Sequence, residues 1–129
     1  MRKLGCWDMR GFNKKFKHAE VGRLVRENDL NIIGLVETKV KQEKAYQFVQ
    51  DVGPGWEYAQ NYTFCSRGRI WVCWNPNVCA MNNIETSLQF INMKVSMLTS
   101  TPFIVTIVYG SNDLVARKKL WGYLMNFAA

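Results

Sequence analysis

Apolar and polar positions follow two rhythms along this chain, and the change comes near residue 55. The run "KLGCWD" (3–8) predicts a short strand, and "MRGFN" (9–13) a turn built on Gly11. Asn13 is placed to cap the helix that follows over 14–29, where Phe16, Val21, Leu24 and Val25 recur near helical spacing among charges. "LNIIGLVE" (30–37) is almost continuously apolar, the pattern of a strand covered on both faces. A second helical stripe, Val40, Ala45, Phe48, Val49 and Val52, runs through 40–52 and is stopped by "GPG" at 53–55. Strand, helix, strand, helix in that order implies a parallel pair joined by a crossover.

Beyond residue 55 the texture turns to β-branched and aromatic runs: "WEYAQ", "GRIWVCWNP", "ETSLQFINM", "KVSML" and "PFIVTIVYG". Turn signals at "SRG", "NPN" and "STP" separate them, so these strands are expected to pair antiparallel. A closing segment over 113–127, with Leu114, Leu120, Tyr123, Leu124 and Phe127, predicts a helix weakened by Gly122. Repeats, linkers and low-complexity tracts are absent from the sequence. The expectation is one α/β domain, a single mixed β-sheet carrying two or three helices on one face.

Composition narrows this reading. At 129 residues with 48% hydrophobic and 21% charged residues, the chain suits one globular domain and is too apolar for intrinsic disorder. Its net charge of +7 favours a polyanionic partner. The excess is concentrated: residues 1–50 carry 11 basic against 6 acidic side chains, and the rest 6 against 4. Cys6, Cys65, Cys73 and Cys79 form no C-x-x-C pair and His18 is the single histidine, which argues against a zinc site. Reduced thiols are expected. No signal-peptide pattern or apolar run of membrane-spanning length occurs, so an intracellular, unsecreted protein of the nucleus or cytoplasm is expected.

Chemistry enters through two carboxylates. Asp8 and Glu37 stand at the carboxyl ends of the first two predicted strands, where open α/β sheets gather their ligands. Adjacent strands would bring both acids to one rim, and Mg²⁺ accepts one or two carboxylates with water and substrate phosphate completing its shell. An acid just past a strand also serves as a helix cap or a solvated surface residue.

The stretches "CWDMRGFNKKFKHAEVGRLVRENDLNIIGLVETKV", "GRIWVCWNP" and "IVTIVYGSND…RKKLW" resemble the endonuclease/exonuclease/phosphatase family, whose fold is DNase I-like. The likeness is to endonuclease domains of plant LINE-type non-LTR retrotransposons and extends over residues 3–127. It implies the N-terminal half of a DNase I-like α/β sandwich, a nucleic-acid substrate and Mg²⁺ as cofactor. By the same resemblance Glu37 holds the metal, with Asp8 beside it and Lys39 two places on. Tyr109 is implied to hydrogen-bond the scissile phosphate or its neighbour, and Asn112 to contact phosphate.

Two departures qualify the resemblance. Asp8 stands where the family usually has asparagine, which keeps an oxygen for a metal but loses an amide donor and adds a charge that repels phosphate. Residues 1–129 also stop short of the family's G-D-x-N and S-D-H motifs, which supply its water-activating aspartate and its aspartate–histidine pair. The expectation is a partial domain, the remnant of a DNA endonuclease with negligible catalysis. The alternative is a non-catalytic module that binds DNA or RNA through Lys14, Lys15, Lys17, Arg23 and Arg26. A sheet face bearing Trp71, Trp74, Phe90, Phe103, Val105 and Ile107 is expected to lack cover and to favour self-association or a partner.

Overall fold

The computed structural model describes residues 4–9, 15–66, 70–98, 100–110 and 113–128. The first half forms as its apolar rhythm requires. β1 (Leu4–Asp8) and β2 (Ile32–Val36) pair in parallel, Leu4 opposite Ile32 and Asp8 opposite Val36, with α1 (Lys15–Glu27) between them in sequence. α2 (Gln42–Val52) leads to β3 (Glu57–Gln60), and β4 (Ile70–Trp74) inserts antiparallel between β3 and β2, giving the order β1-β2-β4-β3. All five residues of β2 and all five of β4 are buried, which explains their unbroken apolar runs.

Each face of these central strands has its own cover. Ile33, Leu35, Trp71 and Cys73 pack against Val21 and Val25 of α1 and Ala45, Val49 and Val52 of α2. Ile32, Val36, Ile70, Val72 and Trp74 point the other way, into a second sheet. Full burial of a Val, Leu or Ile side chain is worth about 1.5–3 kcal/mol, so the strands are held from both sides.

That second sheet corrects the expected single one. β5 (Ala80–Thr86), β6 (Phe90–Met97) and β7 (Ser100–Val108) make a separate antiparallel meander, which turns Ile91, Met93, Val95, Val105 and Ile107 onto the first sheet. The sheets approach closely at Gly34, where an added Cβ would stand 2.6 Å from Cδ1 of Ile107. The sheet face expected to lie bare is therefore covered. Trp71, Trp74, Val105 and Ile107 are buried, Phe103 packs at the edge of this core, and Phe90 is buried on the opposite side of β6.

Several boundaries also move. Residues 85–93, expected as one strand, straddle the β5–β6 turn, and β6 runs unbroken through Lys94. The "STP" turn is the start of β7, where Pro102 is tolerated on an edge strand beside an irregularity in the pairing between Val95 and Met97. The expected cap Asn13 and turn residue Gly11 lie outside the described residues.

α3 (Leu114–Ala128) covers the outer face of the second sheet. Tyr123 stacks on Phe90 with ring centroids 4.3 Å apart, and the side-chain amide of Asn92 donates to its hydroxyl at 3.0 Å. Leu120 is buried on the same side, whereas Leu114, Trp121 and Met125 stay exposed. The helix is thus apolar on two sides, and its outward side adds to the exposed apolar side chains of the strands, among them Trp7, Ile84 and Ile104. No helix among the described residues is long and apolar enough to cross a membrane.

Candidate functional site

The chain leaves β2 through a constrained turn. Glu37 has φ 57° and Lys39 φ 53°, both left-handed although neither is glycine. For an L-residue this conformation costs roughly 1–2 kcal/mol, so the surroundings must impose it. Thr38 between them is fully buried, and Val40 is nearly so. Tyr62 donates its hydroxyl to the Val40 carbonyl at 2.6 Å, and the Met9 amide donates to the Val36 carbonyl at 2.8 Å. The turn is pinned from both ends.

Pinned in this way, Glu37 reaches across the sandwich. The Tyr109 hydroxyl, just past β7 of the second sheet, donates to Oε1 of Glu37. Tyr109 is itself fixed: its amide donates to the Gln89 carbonyl at 2.8 Å. The Gln89 side chain in turn donates to the Ala116 carbonyl of α3 at 2.7 Å. Gln89 is buried, so strand end and helix are tied through one residue.

A second buried amide joins the sheets nearby. Asn61 donates to the carbonyls of Ser87 at 3.3 Å and Leu88 at 3.1 Å, and accepts from the Ile70 amide at 3.1 Å. It is fully buried. Sequence reasoning missed Gln89, Asn61 and Tyr62, none of which lies in a recognisable motif.

The other expected residues divide. Asp8 pairs with Val36 in the parallel register, so the two strand-end acids stand one residue out of step on neighbouring strands. Asp8 also borders a solvent-open cleft of about 280 Å³ with Trp7, Met9, Lys17, Glu20, Val21 and Leu24. Lys39 is exposed, and Asn112 lies outside the described residues. His18 is buried between α1 and α2, its ring centroid 3.6 Å from that of Phe48 and its Nδ1 3.5 Å from Oδ2 of Asp51.

No group of three or more His, Cys, Asp or Glu side chains able to hold a metal occurs among the described residues. Glu37 and Asp8, at the ends of neighbouring strands, offer carboxylate oxygens, the kind of donor Mg²⁺ accepts while keeping several waters and taking further oxygens from phosphate. These oxygens do not suit zinc, which wants nitrogen and sulfur. The four thiols are all reduced, and burial pushes those of Cys73, Cys79 and Cys6 above their ordinary range. Burial likewise raises the Tyr62 phenol, which therefore stays a neutral donor to Val40.

Of the expected basic face, Arg23 and Arg26 are exposed on α1, and Arg23 pairs with Glu27 at 3.4 Å, which offsets its charge. Lys17 is half-buried beside the cleft at Asp8, and Lys14 lies outside the described residues.

No family model and no curated protein matches the sequence. Solved structures do match the fold. Over 84% of its length the chain superposes on 45% of the endonuclease domain of TRAS1, a telomere-specific non-LTR retrotransposon, with TM-score 0.63 and 12% identity. It covers 60% of an endonuclease/exonuclease/phosphatase family protein from Leptotrichia buccalis C-1013-b with 93% of its own length, at TM-score 0.51 and 11% identity. A functionally unknown conserved protein from Enterococcus faecalis V583 matches 88% of the chain over 54% of its own, at TM-score 0.56 and 12% identity. The architecture is therefore DNase I-like. More narrowly, it is the fold shared by a retrotransposon endonuclease domain and an endonuclease/exonuclease/phosphatase protein, of which this chain spans about half the length (45% and 60%).

Proposed function

We propose that the rim formed by Glu37, Asp8 and Tyr109 is part of a Mg²⁺-dependent phosphodiester site inherited from a retroelement endonuclease acting on DNA. The observation that supports this most is the hydrogen bond from Tyr109 to Glu37, which joins the ends of strands from two different sheets. A carboxylate in a left-handed turn beside a phenol has no evident packing role, and such strain collects at functional sites.

In this reading Glu37 and Asp8 supply the oxygens that would hold the cation. A bound Mg²⁺ would neutralise charge on a phosphate and polarise it toward attack. Tyr109 offers a neutral hydroxyl that can orient a phosphate oxygen, and exposed Lys39 adds positive charge along the strand. The Asp8 carboxylate strengthens the hold on a cation and weakens the hold on bare phosphate, so nucleic acid binds best when metal is present. Turnover by these residues alone is negligible. The chain's single histidine, His18, is buried against Phe48, and no aspartate–histidine pair stands at the rim among the described residues.

The test is the affinity of a fluorescent duplex oligonucleotide with and without Mg²⁺. Tighter binding with Mg²⁺ in the parent, abolished in Glu37→Gln, supports the site. Affinity indifferent to Mg²⁺ in both proteins refutes it. A plasmid-nicking assay with Glu37→Ala beside the parent tests turnover, since cleavage that survives this substitution comes from a contaminant.

A further inference from the structure

We propose that the free edge of β7 docks a second copy of this chain, the two β7 strands pairing antiparallel about a two-fold axis so that the second sheets of both molecules join into one. The proposal is independent of the phosphodiester reading.

β7 pairs with β6 along one side, and among the described residues no strand lies along the other. The phase of the ladder tells which backbone groups face that open side. The Tyr109 amide donates straight across to the carbonyl of Gln89, so the pairs two and four residues back, Ile107 with Ile91 and Val105 with Met93, are hydrogen-bonded to β6. The amides and carbonyls of the residues between them, Ile104, Thr106 and Val108, therefore point away from β6, to the open edge. Their side chains lie on the α3 side of the sheet, where the Thr106 hydroxyl donates to Asn92 at 2.8 Å and Asn92 donates to Tyr123. Ile104 and Val108 are nonetheless exposed, so α3 does not close over this edge.

The other sheet edges carry the features that discourage strand addition, namely shortness, charge and bulges. β3 has four residues and begins with Glu57, and β1 has five and ends in Asp8. β5 carries Glu85 and an irregularity in its pairing between Asn83 and Glu85. β7 has nine residues and no charged side chain, and its one proline, Pro102, lies near its start. An exposed row of backbone donors and acceptors of this kind is completed by another β-strand.

Two observations select a second copy as that strand's source. An antiparallel pair has a two-fold axis through it, so a strand with no charge to repel its own image is its own complement. Centred on Thr106, the pairing sets Ile104 against Val108 of the partner subunit, and every edge-facing amide from Ile104 to Val108 meets a carbonyl. The chain's charge of +7 opposes association of copies in general, but residues 80–108 hold one acidic and one basic side chain, Glu85 and Lys94, so this sheet brings no excess of like charge to the contact.

The experiment combines sedimentation equilibrium of the full chain with amide exchange followed by NMR, each at a low and a high protein concentration. The parent is expected to pass from monomer to dimer as concentration rises. Across that change exchange of the Ile104, Thr106 and Val108 amides slows, while the Val105 and Ile107 amides, already bonded to β6, stay protected at both concentrations. Ile104→Lys is expected to remain monomeric with an unchanged far-ultraviolet circular dichroism spectrum, and Trp121→Ser, on the exposed side of α3, to dimerise like the parent. A parent that stays monomeric, one that grows past the dimer, or a dimer that forms without slowing the Ile104, Thr106 and Val108 amides overturns the proposal. So does a dimer that Trp121→Ser abolishes and a folded Ile104→Lys retains. The amide measurement uses the parent alone and decides the matter even where Ile104→Lys does not fold.

Discussion

Tyr109 donates its hydroxyl to Glu37, 72 residues earlier in the chain and on the other side of the sandwich. A hydrogen bond to a charged group contributes about 1.5–3 kcal/mol when neither partner can recover it from water. Both groups border solvent, so Tyr109→Phe is expected to cost about 1 kcal/mol in urea unfolding. Tyr109→Phe with Glu37→Gln should cost less than the sum of the two single changes, because they remove one shared interaction.

The left-handed turn makes a sharper prediction. Lys39 is exposed and pays for φ 53° without a visible side-chain role in packing. Lys39→Gly relieves that strain but frees the unfolded chain, leaving a net stabilisation of about 0.5 kcal/mol. Lys39→Val, which tolerates this conformation poorly, should destabilise by more than 1 kcal/mol. Chemical denaturation of the pair measures both.

Close contact between the sheets can be tested at Gly34. A Cβ there would meet Ile107 at 2.6 Å, so Gly34→Ala is expected to cost about 1–3 kcal/mol through overpacking. Ile107→Val alone removes a methyl and should cost about 0.5–1.5 kcal/mol. Combined, they should be milder than the sum by about 1 kcal/mol, because the removed Cδ1 is the atom in closest conflict. Strict additivity would mean that the conflict is set by Cγ1, 2.9 Å from the same position and retained in valine, and not by Cδ1.

Alkaline pH should unfold the protein through its buried acids. Burial raises the Cys73 thiol above its ordinary 9.0 and the Tyr62 phenol above its ordinary 10.0. In each case the folded state binds the proton more tightly than the unfolded one, so stability is fully present below the unfolded pKa and falls as pH rises beyond it. Loss is expected to begin near pH 9.0 and steepen past 10.0, and Cys73→Ala should make the loss between 9.0 and 10.0 shallower, the remainder coming from Cys79 and Cys6. Thiol labelling of the native protein at neutral pH should modify exposed Cys6 and half-buried Cys65 while sparing buried Cys73 and Cys79.

How far the sequence disclosed this structure depended on burial. β2 and β4 were legible because strands covered on both faces must be apolar throughout, and α2 because its stripe faces one sheet. β5 was missed: it is an edge strand, mostly exposed, with Asn82 and Asn83 where β-branched residues would have marked it. The division into two sheets was hidden because alternation assigns side chains to faces without saying which sheet a strand joins. Glu37 and Tyr109 stood out at strand ends, and the structure brings them together. Gln89 and Asn61 carry no motif, and their work is visible only once loops from both sheets lie side by side.

The most direct test of a cation site at Glu37 is Mn²⁺ binding followed by electron paramagnetic resonance, without nucleic acid. The parent is expected to bind one equivalent that Mg²⁺ displaces, Asp8→Asn to bind it more weakly, and Glu37→Gln to lose it. Equal Mn²⁺ binding by the parent and Glu37→Gln, or none by either, would contradict the claim that this carboxylate is held in its strained turn for a metal.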